Sequence, residues 1–304
     1  MKYILVDFEW NRAADDRHVI STPIDFNAEI IEIGAVKLDS EFQYVDEFQA
    51  FVKPKFYSVM NGEVASLTKI RVNLLEKALG FQDVINAFSD WCGDDYCLCT
   101  WGEHDIPVLL DNMIMHNMTI PDDMLWCNLQ RVFSYEIMRE PEGRKWALDK
   151  AIDYLGLPKC RAHDALNDAR NTRTICERVN LSEYVEDYIS GYVHYDHDRR
   201  NGFTYGKEYS SLSELQNDAE LMRFVCPCCS ENVSLDELVQ SAFSGLLSYG
   251  QCMCGYDYLA QFSRERIQKG SFFVRRTVLK MNDVLWDDYQ DALEYNGKLI
   301  SKAG

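Results

Sequence analysis

The chain opens on a short apolar run, Tyr3-Ile4-Leu5-Val6, that breaks abruptly into Asp7-Phe8-Glu9-Trp10. Branched and aromatic residues in succession predict a strand covered on both faces. Side-chain alternation along it sends Asp7 and Glu9 to one side and Phe8 into packing. Residues 29–38, EIIEIGAVKL, predict a second strand and 41–52 a third, so the start of the chain reads as an antiparallel meander. The polar stretch 11–27 between the first two predicts a surface loop. Ser66 is a candidate cap for a short helix over SLTKIRVNLL. Phe81, Val84, Ile85, Phe88 and Trp91 recur at helical spacing, followed by a strand over 96–100 and an apolar helix over 106–115. A strand at 125–128, a helix at 129–138, an amphipathic helix at 146–155 stopped by Gly156, and a last helix within 163–179 complete the pattern. Strands first, then helices alternating with short strands, predict an α/β fold with a mixed sheet flanked by helices.

The pattern changes near residue 190. Residues 196–206 are polar with two glycines, and the predicted organisation is a first domain over 1–190, a linker over 191–221, and a small β module over 222–304 ending in an acidic helix from residue 283. The 304 residues leave room for two domains, and 47% hydrophobic with 26% charged residues is ordinary globular composition. No apolar run approaches a membrane span and no basic-then-apolar leader precedes the first strand, so a cytoplasmic protein is expected.

Charge narrows the function classes. The net charge is −18, with 19 bases against 30 acids in residues 1–180 and 12 against 19 in 181–304. Residues 81–120 hold seven acids and no Lys or Arg, whereas 264–280 hold six bases and one acid. This argues against a stoichiometric duplex binder and fits an enzyme that gathers carboxylates around metal ions and keeps its bases in patches.

Asp7 and Glu9, fixed side by side at a strand end, repel one another unless a cation lies between them. Hard ions such as Mg²⁺ or Mn²⁺ prefer such oxygen ligands. Asp105 falls where a strand gives way to a helix, a usual place for active-site residues in α/β sheets. In HDALNDAR, Asp164 is the expected N-cap, Asp168 lies about one turn into the helix, and His163 stays on the preceding loop. Each residue alone has a plain structural reading: a solvent-facing acid, a helix cap, a partner for Arg170 or Arg173, a loop histidine. A two-carboxylate glycosidase would leave His163 and the Asp168 helix without a job.

The ordered set Asp-x-Glu, Asp, His-x-Ala-x-x-Asp resembles the DEDDh branch of the DnaQ-like 3′–5′ exonucleases. EIIEIGAVKL and KWALDKAIDYLGLPKCRAHDALNDARNT are most similar to the enhanced-RNAi and KapD-like subgroup, and the resemblance covers roughly residues 1–180. It implies an RNase H-like fold with a mixed five-stranded sheet, and two catalytic Mg²⁺ or Mn²⁺ ions held by Asp7, Glu9, Asp105 and Asp168. It further implies Asp7 bridging the ions, Glu9 and Asp168 completing one ion's site and Asp105 the other's, and His163 as general base. Phe8, Trp10 and Asn11 are then candidates for seating the 3′-terminal nucleotide, with Trp101 and His104 as candidates for stacking on a base. Trp10 departs from the small or polar residue many relatives carry there. The implied activity is 3′–5′ exonucleolytic hydrolysis of single-stranded nucleic acid, with RNA favoured over DNA and nucleoside 5′-monophosphates as products. A nuclease fold serving as a non-catalytic nucleic-acid adaptor is the alternative, and retention of all five residues speaks against it.

Of eleven cysteines, Cys92, Cys97, Cys99, Cys127, Cys160 and Cys176 are scattered through apolar segments, while five lie between Cys226 and Cys254. Cys226-Pro-Cys-Cys229 and Cys252-Met-Cys254-Gly, separated by 22 residues, form two knuckles suited to one structural Zn²⁺. Cys226, Cys229, Cys252 and Cys254 are the expected ligands, with Cys228 as spare or substitute. The second pair is one residue tighter than the usual knuckle, and the region resembles a zinc ribbon in general form. Arg264, Arg266, Lys269, Arg275, Arg276 and Lys280, around Phe272 and Phe273, would place bases along one hairpin edge for nucleic acid or a protein partner.

Overall fold

The computed structural model describes residues 1–20, 26–121, 124–139, 145–193, 209–241, 245–268 and 271–302. The chain divides into two compact units, the first built from Met1–Thr22, Phe26–Ile120 and Leu125–Ile189, the second centred on Ser190–Gly304.

The sheet of the first unit runs β6 (Leu125–Asn128), β5 (Tyr96–Thr100), β1 (Lys2–Asn11), β2 (Glu29–Leu38), β3 (Tyr44–Lys53), with the two-residue β4 (Leu79–Gly80) beyond. β1, β2 and β3 pair antiparallel, and β5 and β6 join parallel to β1. This is the mixed α/β, RNase H-like arrangement, five principal strands with one short addition.

One face of β1 and β2 explains both core and site. Across the ladder the pairs are Tyr3 with Leu38, Leu5 with Val36, Asp7 with Gly34 and Glu9 with Glu32. Tyr3, Leu5, Val36 and Leu38 are buried with Leu166, Ala169 and Ile175 of the long helix α7 (Ala165–Val179). The alternation that buries the first two pairs therefore aims Asp7 and Glu9 toward the start of that helix.

The remaining helices are α1 (Gly62–Thr68), α2 (Val72–Leu75), α3 (Phe81–Cys92), α4 (Asp105–Met115), α5 (Leu129–Val132), α6 (Leu148–Leu155) and α8 (Ser182–Val185). Three local expectations need correction. Ser66 does not cap a helix: Asn61 caps α1 by accepting from the N–H groups of Glu63 and Val64, and Ser66 lies within that helix. The helix expected over 66–75 is broken at Lys69, which is left-handed. The helix expected over 129–138 passes into a π-helical turn at Phe133–Ile137.

The second unit contains β7 (Ser190–Val193), the short helix α9 (Leu212–Gln216), the hairpin of β8 (Arg223–Val225) and β9 (Asn232–Ser234), and a sheet of β10 (Val239–Gln240), β11 (Leu246–Gln251), β12 (Asp257–Gln268) and β13 (Ser271–Lys280) continued by β7. The helix α10 (Asp283–Lys302) follows. Residues 194–208 of the expected linker lie outside the described residues, while Tyr209, Leu215 and Leu221 pack into the core of this unit. No helix among the described residues is long and apolar enough to cross a membrane.

Candidate active site

Asp7, Glu9 and Asp168 each offer a carboxylate oxygen within 4.8 Å of the others, although Asp168 is far along the chain from the first two. β1 supplies the first pair, and α7 supplies Asp168. The helix can come this close because Gly34 lies opposite Asp7 on β2. A Cβ at Gly34 would sit 2.0 Å from the Leu166 nitrogen and 2.1 Å from the Ala165 carbonyl carbon, both backbone atoms. A Gly34→Ala substitution is therefore expected to push α7 off the sheet, costing about 3 kcal/mol. Its thermal midpoint should fall by roughly 6–12 °C for a unit of this size, and a midpoint within a degree of the parent would contradict the close approach.

The β1–β2 register shifts between Glu9 and Trp10, so that Trp10 pairs with Ile30. Such a bulge re-aims side chains at a strand end. Glu32, 1% exposed and opposite Glu9, accepts from Gln49 Nε2 at 2.7 Å and from the Ala165 N–H at 3.5 Å. It adds a buried acid beneath the site and was missed in the sequence. Its signal was present in EIIEIGAVKL, where Glu32 shares the parity of Gly34, Val36 and Leu38.

Asp105 begins α4 and its Oδ1 accepts the Phe8 N–H at 3.2 Å, which binds the start of that helix to β1. It lies beside the three clustered carboxylates and is not one of them. His163 stands on the loop before α7, as the sequence indicates, exposed and in a left-handed conformation with φ 61°. Its N–H donates to Asp168 Oδ2 at 2.9 Å, and Asp164 caps α7 by accepting from Asn167 N–H at 3.1 Å.

The residues considered for substrate contact separate by burial. Phe8 is 2% and Asn11 1% exposed, so neither side chain is open to a nucleotide. The Asn11 amide is engaged with the Tyr57 and Val59 carbonyls at 2.8 and 3.0 Å and with the Asn61 N–H at 2.9 Å, bracing the chain after β3. Trp101 is partly buried against Phe133 and donates to the Trp146 carbonyl at 2.8 Å. Trp10 is half-buried, and His104, immediately before α4, is exposed.

Among the described residues no cationic side chain forms an ion pair with Asp7, Glu9, Asp105 or Asp168. Burial, followed by the charges of Asp105, Asp168 and Glu9, raises Asp7 well above the carboxylate range. Glu9 is pushed up to about 8 by burial and then by Asp168 and Glu32. Asp105 is pushed up to about 7 by burial, against the Phe8 N–H that lowers it. Asp168 is also raised by burial, with the His163 N–H and Asn171 amide opposing. A divalent cation answers this uncompensated charge, so the donor set fits Mg²⁺ or Mn²⁺.

Because these folded-state values exceed the unfolded ones, the folded chain binds more protons between pH ~4.5 and ~8, and stability falls as pH rises through that window. Without divalent ion, the first unit is expected to lose about 2 kcal/mol, or ~4–8 °C, from pH 5 to pH 8 after discounting for the partial exposure of Glu9. Added Mn²⁺ at pH 8 should restore it; a midpoint that rises with pH in metal-free buffer would refute this.

In the second unit, one sulfur from each of Cys226, Cys229, Cys252 and Cys254 lies within 4.8 Å of the others. The separations are 3.7 Å for Cys226–Cys254 and 3.3 Å for Cys229–Cys252, near the ~3.8 Å edge of a tetrahedron with metal–sulfur bonds of about 2.3 Å. The first knuckle is the turn of the β8–β9 hairpin, closed by Cys226 N–H to Glu231 O at 2.8 Å. The second joins β11 to β12, closed by Cys252 N–H to Tyr256 O at 2.9 Å, with Gly255 at φ +93° making the turn. Cys226 is held down at about 6: burial would raise it, but the Tyr258 hydroxyl and the Cys229 and Cys228 amides outweigh burial. These donors stabilise a thiolate, and the set fits a thiophilic ion such as Zn²⁺. Cys228 is exposed and outside the group of four.

The expected basic edge is not a single edge. Arg276 is 1% exposed because β13 alternation places it inward with Val274 and Val278, where it donates to the Leu221 and Arg223 carbonyls. Arg264 is exposed and donates to Gln240 Oε1 at 3.0 Å, and Lys280 lies 5.7 Å from the centre of the Tyr256 ring. Phe272 stacks at 6.2 Å on Tyr209. Lys269 and the side chains of Arg266, Phe273 and Arg275 lie outside the described residues.

Residues 20–176 match the family model described as RNase_T, Exonuclease, just over half of the chain. Among curated proteins, ERI1 exoribonuclease 2 of Homo sapiens is 26% identical over 58% of this chain and 28% of its own length. The probable 3′-5′ exonuclease KapD of Bacillus subtilis is 28% identical over 39% of this chain and 56% of its own. The chain thus spans little more than a quarter of the first of these and just over half of the second. Among solved structures, the nuclease domain of 3′hExo, a DEDDh family member bound to rAMP, superposes with a TM-score of 0.51 at 24% identity, covering 61% of this chain and 94% of that one.

Proposed function

Because the chain belongs to the exonuclease (RNase T) family, we propose that its first unit removes nucleotides from the 3′ end of single-stranded RNA, releasing nucleoside 5′-monophosphates. The observation that carries the reading is the convergence of Asp7, Glu9 and Asp168 within 4.8 Å, with no cationic side chain among the described residues to neutralise them. RNA is preferred over DNA on the strength of curated relatives described as exoribonucleases.

Asp7, Glu9 and Asp168, with Asp105 beside them, would hold two Mg²⁺ or Mn²⁺ ions, which when bound supply positive charge at the transferring phosphoryl and acidify a bound water. His163 is exposed on the loop before α7, and its backbone N–H is bonded to Asp168. It takes a proton from the attacking water as the water oxygen bonds to phosphorus. The bond from phosphorus to the 3′-oxygen of the penultimate nucleotide breaks, and that oxygen leaves as a hydroxyl after gaining a proton from solvent. Trp10 remains the candidate for seating the terminal nucleotide, since the Phe8 and Asn11 side chains are buried, with Trp101 and His104 as candidates for stacking on a base. In the second unit, Cys226, Cys229, Cys252 and Cys254 would hold one structural Zn²⁺, whose role is to tie two knuckles together.

The test is incubation of 5′-labelled single-stranded RNA and DNA oligomers with the protein and Mg²⁺ or Mn²⁺. Stepwise shortening from the 3′ end of RNA, faster than of DNA and dependent on the ion, supports the reading. Tight binding without shortening would instead favour the adaptor.

A further inference from the structure

Asn171 is 2% exposed and lies three residues after Asp168 on α7, a spacing that puts the two side chains on one helix face. Its Oδ1 accepts the Cys160 N–H at 2.8 Å. Its Nδ2 donates to the Cys160 carbonyl at 3.4 Å and to Asp168 Oδ1 at 3.2 Å. Exchanging oxygen and nitrogen would set donor against donor at Cys160 N–H and acceptor against acceptor at Asp168, so these neighbours dictate the orientation of the amide. The other Asp168 oxygen, Oδ2, is taken by the His163 N–H at 2.9 Å.

The loop 160–163 is therefore attached to the Asp168 carboxylate at both ends, directly through His163 and through Asn171 at Cys160. Arg161, between them, donates to the Thr68 carbonyl at 3.0 Å and so anchors the loop to the end of α1. His163 sits at φ 61°, a conformation costing on the order of 1 kcal/mol that persists where surroundings over-determine it. With both of its oxygens engaged, Asp168 cannot rotate without moving the histidine loop.

We propose that Asn171 is a positioning residue that locks the Asp168 carboxylate and the His163 loop into a single geometry, setting both metal affinity and turnover. This rests on the exonuclease reading given above and adds a residue to it. Asn171 reaches the site through its hydrogen bond to Asp168.

Asn171→Leu keeps the number and branching of the side-chain heavy atoms and removes all three hydrogen bonds. In the full chain, its kcat on an RNA oligomer is expected to fall about 10–100-fold, with Mn²⁺ affinity by calorimetry weaker by a similar factor. KM for the oligomer should stay within ~2-fold of the parent, because nothing that binds the strand has changed. If Asn171→Leu does not fold, as judged by circular dichroism, Asn171→Ala carries the test. It removes the same three hydrogen bonds without adding bulk or charge; Mn²⁺ affinity and kcat should again fall together. Folded variants with parental Mn²⁺ affinity and kcat, whatever their melting temperature, would reduce Asn171 to a structural anchor and overturn the proposal. A parent protein that binds Mn²⁺ but shortens no oligomer counts against the exonuclease reading alone, and Asn171 is then judged on Mn²⁺ affinity. A parent that binds no Mn²⁺ overturns both.

Discussion

Asp7→Asn is expected to lower metal-dependent nucleotide release by about 10³-fold or more while making the metal-free protein more stable. The two effects share one cause. Asp7 is the carboxylate on which burial and the charges of Asp105, Asp168 and Glu9 all converge. Without ions that charge is a cost to the fold, and an amide of the same shape relieves it. With ions it would be one of their ligands, and removing a group that stabilises charge in the transition state typically costs 10²–10³-fold even outside metal sites, so a loss at or above the upper end of that range is expected. The measurements are single-turnover release from the 3′ end of an RNA oligomer and thermal melting without divalent ion at pH 8. Loss of activity accompanied by a lower metal-free midpoint would show that Asp7 holds the fold together rather than the ions. Activity retained within ten-fold would remove Asp7 from the mechanism.

The second large effect is expected at the cysteine cluster. Protein purified without chelator should carry one zinc per chain by elemental analysis, and Cys226→Ser should lose it together with the structure of the two knuckles. Structural zinc in small modules contributes on the order of 10 kcal/mol, and within the knuckles few other interactions could replace it. β8 and β9 are three residues each, and Cys226 and Cys252 themselves belong to the buried core with Phe224, Val233 and Tyr258. Four sulfurs this close cannot all ionise without a cation among them, and left protonated they fill the centre of the knuckles with weak polar contacts. Because Cys228 is exposed and outside the group, Cys228→Ser should retain zinc and melt with the parent. Zinc lost from Cys228→Ser but kept by Cys226→Ser would reassign the ligands, and a zinc-free parent with an intact second unit would remove the metal from the account.

The meander, the helix at Phe81–Cys92, the Asp164 cap and the place of Asp168 one turn beyond it follow from local chemistry. Alternation, helical spacing and capping are all settled within a few residues, so they are legible without the fold. The same holds for Asp7 and Glu9 sharing a face and for the cysteine pairs, since strand parity and ligand spacing are properties of short segments. Other features depended on what lies across the ladder or across the helix. Gly34 reads as an ordinary strand glycine until α7 is seen 2.0 Å from its missing Cβ. Glu32 and Asn171 read as a polar strand residue and a polar helix residue, and became site elements when Glu9 and Cys160 were brought against them.

Phe8 lies inside the first motif and is buried as strand alternation indicates, whereas Asn11, just after it, turned onto the chain after β3. Arg276 shared a run of bases with the exposed Arg264, but strand parity took it inside, where two carbonyls receive it. By itself, then, the sequence determined which residues share a strand face, a helix turn or a knuckle, because covalent geometry enforces those relations at short range. Only the tertiary structure decided which distant backbone a side chain meets. That depends on how closely two elements pack, and a single absent Cβ at Gly34 sets that distance for α7 and with it the position of Asp168.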